Sequence, residues 1–171
     1  MHNFILDQSS SLQLLKEQAG GKALNLAKLS NQNIKVPQWV CLSSFAFDKF
    51  IDQNNLKDKI KSLVASDHYN ENELENLFLS IPFNEEILSQ LRYVLEIEYF
   101  NNAYLAVRSS GLDEDSADNS FAGQFSSFLY QKGIEQLEKS IKKCWASAYS
   151  QRAISYRKEK GLSTVDLKVG V

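Results

Sequence analysis

Ala19-Gly20-Gly21-Lys22-Ala23-Leu24-Asn25-Leu26-Ala27 is the stretch on which the reading of this chain turns. Two glycines precede a helical pattern in which Ala23, Leu26 and Ala27 share one face. Glycine lets a backbone approach a ligand closely, and a helix N-terminus offers N–H groups at the positive end of its dipole. A lysine there adds a mobile cation suited to a phosphate. The stretch is not a Walker A loop, which needs Gly-x-x-x-x-Gly-Lys-Ser/Thr. Lys16 stands where the first glycine belongs, and Ala23 where the hydroxyl belongs. Alone, Gly-Gly-Lys is a weak signal and reads first as a plain turn carrying a solvated lysine.

Downstream, Ala106-Val107-Arg108-Ser109-Ser110 places an arginine at the end of an apolar, β-branched run, followed by two hydroxyls. Arginine's fixed, permanently charged donors match phosphate oxygens. The hydroxyls can bond to a ligand or to their own turn, and the arginine can instead pair with Asp113, Glu114 and Asp115. Those acids and Asp118 lack the central glycine and distal glutamate of an EF-hand, so they read as a solvated loop. Ser120-Phe121-Ala122-Gly123-Gln124 differs: a small, glycine-containing stretch beside an aromatic can cover a nucleotide with its backbone N–H groups.

Periodicity organises the rest. Trp39-Val40-Cys41-Leu42, after Pro37, reads as a short buried strand, and Ser43-Ser44 as the cap of a helix carrying Phe47, Phe50 and Ile51. Helical spacing recurs over 56–65, 71–81 and 85–99, so residues 52–100 form a helical insert. Strands are expected at Tyr104–Val107, at Ser126–Tyr130 and from about Val165. A long helix over 134–160, with Ile134, Leu137, Ile141, Trp145 and Ala148 on one face, stops at Gly161. The chain ends in Lys168-Val169-Gly170-Val171, which reads as an unprotected apolar strand and marks an incomplete fragment.

At 171 residues the chain is long enough for one cored domain. Its 43% hydrophobic and 23% charged content excludes a disordered tail. A net charge of −2 gives no case for nucleic acid or an anionic membrane. Apolar runs such as Phe4-Ile5-Leu6 fall far short of the ~20 residues of a membrane span. Cys41 and Cys144 have no metal spacing and read as buried, reduced thiols of a cytoplasmic protein. His2 and His68 lack partners for catalysis and read as surface residues. Arg152, Arg157, Lys158 and Lys160 suit the end of a helix, and Trp39 and Trp145 the core.

Taken in order, Gly20-Gly21-Lys22, Val36-Pro37, Val107-Arg108-Ser109-Ser110, Ser120–Gln124, Cys144-Trp145-Ala146-Ser147 and Arg152–Arg157 resemble the N-terminal nucleotide-binding domain of the phosphoenolpyruvate synthase and pyruvate phosphate dikinase family. Rifampicin phosphotransferases share that domain. The resemblance runs from about residue 15 to the end. It implies an α/β (α+β) fold of the ATP-grasp type, whose two lobes clamp ATP. In the family the β-phosphoryl group passes to a histidine of a separate swivelling domain, leaving AMP and phosphate, and then to pyruvate or another acceptor. By this resemblance Lys22 and Arg108 contact ATP phosphates, and the loop carrying Ser120, Gly123 and Gln124 lies over them.

Two departures stand out. Gln38-Trp39-Val40 replaces the family's Pro-Gly-Phe, while Gly111-Leu112-Asp113-Glu114-Asp115 stays close to its Ala-x-x-Glu-Asp. The adenine-contacting hinge, the second lobe with its Mg²⁺ carboxylates and the phosphohistidine domain are expected on further sequence, in the same parent chain or a separate polypeptide. No catalytic or metal-binding residue is therefore expected in this chain. The alternative is a non-catalytic binding or assembly module that pairs through its final strand. Either way, incubation of the 171-residue chain with ATP and Mg²⁺ should yield no AMP above background.

Overall fold

A computed structural model of the chain describes residues 3–66, 68–112 and 126–171. In chain order it runs β1 (Ile5–Asp7), α1 (Leu12–Gln18), α2 (Gly20–Asn31), β2 (Val40–Leu42), α3 (Ser44–Gln53), α4 (Lys57–Ala65), α5 (Glu71–Ser80) and α6 (Glu85–Glu96). Then follow β3 (Leu105–Arg108), β4 (Ser110–Gly111), β5 (Ser127–Gln131), α7 (Gly133–Ser147), α8 (Gln151–Glu159) and β6 (Val169–Gly170). The fold is mixed α+β, as expected. The strands β1 and β4 and the helix α1 were not anticipated, because segments of two to seven residues are too short to display a period.

The strands pair antiparallel as β1 with β2, β3 with β5 and β4 with β6. Leu42 and Val171 exchange both backbone hydrogen bonds, at 2.7 and 2.9 Å, which ties β2 to the end of β6. The final strand is thus interior: it has β4 on one side and Leu42 on the other, and Val169 is buried. This corrects the expectation of an unprotected terminal edge. It also removes the exposed strand through which an assembly module would pair. The strand begins at Val169 and not near Val165, because Ser163 Oγ accepts from the N–H groups of Val165 and Asp166 and holds that segment in a turn.

The expected helix over 134–160 is two helices. Ser150 is extended, and its hydroxyl accepts from Ala153 N–H at 3.2 Å, which ends one helix and caps the next. Tyr149, buried at the break, donates its hydroxyl to Val165 C=O at 3.1 Å. The stop at Gly161 holds. With φ of +68°, Gly161 lets Leu162 N–H reach Arg157 C=O at 2.9 Å, a Schellman closure. Arg157 is buried, and its Nε donates to Ser163 C=O at 2.5 Å. It ties down the following turn, a role beyond the expected complement to the helix dipole.

The helices of the expected insert share their core with the rest of the chain. Phe47 and Phe50 of α3, Ile60 of α4, Phe78 of α5, Ile87 of α6 and Ile141 of α7 belong to one buried cluster. Trp145 lies at its centre, with ring centroids 5.2 Å from Phe47, 5.3 Å from Phe50 and 5.2 Å from Phe83. Phe83 precedes α6, whose cap, Asn84, accepts from Ile87 N–H at 2.9 Å. Among the described residues no helix is long and apolar enough to cross a membrane.

Both cysteines are free and buried, and burial pushes each thiol up to about 12. Two outcomes follow. Trp145→Ala should destabilise the chain by about 3–5 kcal/mol, read from denaturant melts, because a fully buried ring leaves a cavity that its neighbours cannot close. Alkaline pH should also destabilise it. A folded-state thiol value above the ordinary 9.0 means that the unfolded chain releases its protons first. The contribution is therefore complete below about pH 9 and is lost as pH rises toward 12. The half-buried Tyr69 and buried Tyr149 phenols, also raised, add to the loss above about pH 10. Unfolding midpoints measured at pH 7, 9 and 10.5 check the sign.

Candidate functional site

The site is built on one seam between a helix start and a strand. In β3 the side chains alternate: Val107 is buried and Arg108 is exposed. The alternation holds through Ser109, which separates β3 from β4, and fails at Ser110, so that Ser109 and Ser110 are both buried. That break turns Ser110 toward the start of α2, where its Oγ accepts from Lys22 N–H at 3.2 Å. Two motifs 88 residues apart in sequence thus meet through one hydrogen bond.

Glycine makes the approach possible. Gly20 has φ of +75°, and a Cβ there would lie 2.4 Å from Ser110 O, 2.7 Å from Ser110 Oγ and 2.8 Å from Gly111 O. On the neighbouring strand a Cβ at Gly170 would lie 2.9 Å from Ala19 O and 3.1 Å from Cys41 Sγ. Two glycines therefore seat the α1–α2 junction against β4 and β6. Gly170 was not anticipated, although a glycine within an apolar strand is itself a signal of close backbone approach.

The seam corrects two expectations. The start of α2 is not open to a ligand through its glycines: Gly20 and Gly21 are buried, and Lys22 N–H is already bonded to Ser110. Lys22 itself is half-buried, not fully solvated. Cys144 of α7 lies near enough for the Lys22 charge to act on its thiol. The Cys144 thiol reaches Ser126 C=O at 3.7 Å and is hydrogen-bonded with the Ser109 backbone. Burial raises this thiol most, and the Ser109 bond and the Lys22 charge only partly offset it. It stays protonated at neutral pH and is no nucleophile.

Arg108, opposite Ser127 across the ribbon, is exposed. No carboxylate among the described residues pairs with it. Ser120, Gly123 and Gln124 lie outside the described residues, as do Asp113, Glu114 and Asp115. The described part of the corner thus offers two cations, buried hydroxyls and a neutral thiol. That donor set fits the oxygens of an anion and does not fit Mg²⁺, which takes carboxylate and other oxygen ligands. Among the described residues no group of three His, Cys, Asp or Glu could hold a metal ion. His68 is exposed, and the caps and core aromatics take up no chemistry.

Gly20→Ala should cost about 2–5 kcal/mol, combining a left-handed backbone with a clash against strand oxygens that cannot yield. Arg108→Ala, at an exposed strand position, should move the unfolding midpoint by less than about 0.5 kcal/mol. Denaturant melts of the two variants check the contrast.

Residues 16–171 match the family described as pyruvate phosphate dikinase, AMP/ATP-binding domain. The chain is 31% identical over 170 aligned positions to a rifampicin phosphotransferase of Bacillus cereus, covering 94% of this chain and 20% of that protein. It is 31% identical over 158 positions to a probable phosphoenolpyruvate synthase of Methanothermobacter thermautotrophicus, covering 82% and 22%. It is 32% identical over 170 positions to the phosphoenolpyruvate synthase of Helicobacter pylori, covering 89% and 21%. The chain spans about a fifth of the length of these curated relatives. With nearly its whole length matched and the Gly-Gly-Lys and Arg-Ser-Ser segments joined at one seam, the chain belongs to the pyruvate phosphate dikinase AMP/ATP-binding domain family.

Proposed function

We propose that this chain is the phosphate-contacting lobe of an ATP-dependent, dikinase-type phosphotransferase. The observation that carries the reading is the hydrogen bond from Lys22 N–H to Ser110 Oγ, which sets Lys22 two strand residues from Arg108. Phosphoryl transfer depends mainly on positioning and on neutralising charge spread over non-bridging oxygens. Lys22 supplies a mobile point charge on a half-buried stem, and Arg108 an exposed planar fork able to grip two oxygens. In this reading the loop containing Ser120, Gly123 and Gln124 closes over the same phosphates.

The finer assignments are part of the proposal. The architecture is of the ATP-grasp type, and this chain supplies the lobe without metal carboxylates. Mg²⁺ and adenine are held by a second lobe, and the β-phosphoryl group goes to a histidine of a further domain, then to pyruvate or another acceptor. Family membership supports the nucleotide, and the names of the relatives support the reaction class. The corner described here would hold and orient phosphate oxygens, with no proton transfer or covalent step on this chain.

Calorimetric titration of the protein with ATP tests the reading. Lys22→Ala and Arg108→Lys should each weaken ATP about 10-fold or more, since a charge-assisted hydrogen bond contributes on the order of 1.5–3 kcal/mol. Arg108→Lys is the sharper variant, because it keeps the charge and removes the fork. Wild-type affinity in both variants would return the two cations to a plain surface role.

A further inference from the structure

We propose that Ser110 is a positioning residue that acts through Lys22, and that it is not itself a phosphate ligand. The inference rests on the reading that Lys22 contacts nucleotide phosphate.

The geometry of the helix start carries it. The first residue before α2 is Ala19, which has helical backbone angles and no side-chain oxygen, so it makes no cap. A helix begins with N–H groups that lack an intrahelical partner, and a local Ser, Thr, Asp or Asn normally serves one of them. Here Lys22 is the third residue of α2, the position that such a cap usually serves, and its N–H is bonded to Ser110 Oγ. Ser110 therefore does the work of a capping residue from 88 positions away. Its hydroxyl oxygen accepts that bond from within the fold. The residue is 4% exposed, and it lies against the Cα of Gly20.

The consequence is a fixed spacing. Arg108 lies two residues before Ser110 on one extended length of chain, and Lys22 lies on the helix that Ser110 caps. The one hydroxyl holds the backbone of Lys22, and so the base of its side chain, against the strand that carries Arg108. Ser109 cannot serve in its place, because its side chain is also buried and its backbone is engaged by Cys144. Of the Arg-Ser-Ser segment, only Arg108 faces outward.

A double-mutant cycle tests this. ATP affinity is measured by calorimetry for the wild type, Ser110→Ala, Lys22→Ala and the double variant, and exchange of the Lys22 amide is followed by NMR without nucleotide. Ser110→Ala should speed Lys22 amide exchange and weaken ATP, each by roughly 5-fold, the effect expected of a lost helix cap. In the Lys22→Ala background the same substitution should leave ATP affinity unchanged. Should Ser110→Ala fail to fold, Ser110→Cys, of similar size but a weak acceptor, makes the same comparison. An equal loss of affinity in both backgrounds would overturn the inference, since Ser110 would then act independently of Lys22. Unchanged affinity in Ser110→Ala, with Lys22→Ala weakened, would overturn it while leaving the site reading intact. Unchanged affinity in Lys22→Ala, or no ATP binding by the wild type, would overturn the site reading and this inference together.

Discussion

The close approach of Gly20 to Ser110 and Gly111 is the constraint on which the rest of the architecture depends. A helix seldom touches a strand backbone at its first residue, because a side chain stands in the way. Here a positive φ and a missing Cβ let the start of α2 sit on β4. Gly170 does the same for Ala19 on β6, so both strands of that ladder are used. The contact decides where Lys22 stands, and it closes the helix start against direct approach of a ligand to its first N–H groups. The two cations of this corner are the half-buried Lys22 and the exposed Arg108.

The long helix α7 connects this corner to the core. Trp145 is packed among Phe47, Phe50 and Phe83, and the residue before it, Cys144, lies under Ser109. Adjacent positions on a helix point about 100° apart, so one turn of α7 serves two neighbourhoods. The helices α3 to α6 pack around the same aromatic cluster. Large rings held at 5–6 Å supply apolar burial and specific ring geometry, and they fix α7 firmly. A thiol held on so rigid a helix gives β3 and β4 a constant support, and its neutrality leaves the cationic character of the corner intact.

Much of this was legible in the sequence. Helical spacing in Leu74-Leu77-Phe78 and in Ile87-Leu91-Val94 marks helices that bury those residues, and Gly161 marks a stop that the structure closes with a Schellman motif. The segments Gly20-Gly21-Lys22 and Arg108-Ser109-Ser110 were legible as unusual clusters of glycine, cation and hydroxyl. Other features were not. The break at Ser150 was hidden because the apolar period continues through it into Ala153 and Ile154. The strands β4 and β6 are two residues each, shorter than any period. The pairing of Val171 with Leu42 joins positions with nothing local in common.

The sequence by itself determined most of the helices and their buried faces, the cysteines as interior thiols and the membership of Lys22 and Arg108 in two marked segments. These are local properties, set by side-chain size, periodicity and backbone preference within a few residues. Only the tertiary structure decided that the two segments share a seam, that Ser110 faces inward to cap a distant helix, and that the final strand is interior. Each of those is a pairing across long sequence separation. Such a pairing is fixed by which backbone groups lack a local partner and by where a missing Cβ lets two chains meet. At α2 the unmet N–H of Lys22 and the bare Cα of Gly20 both select Ser110.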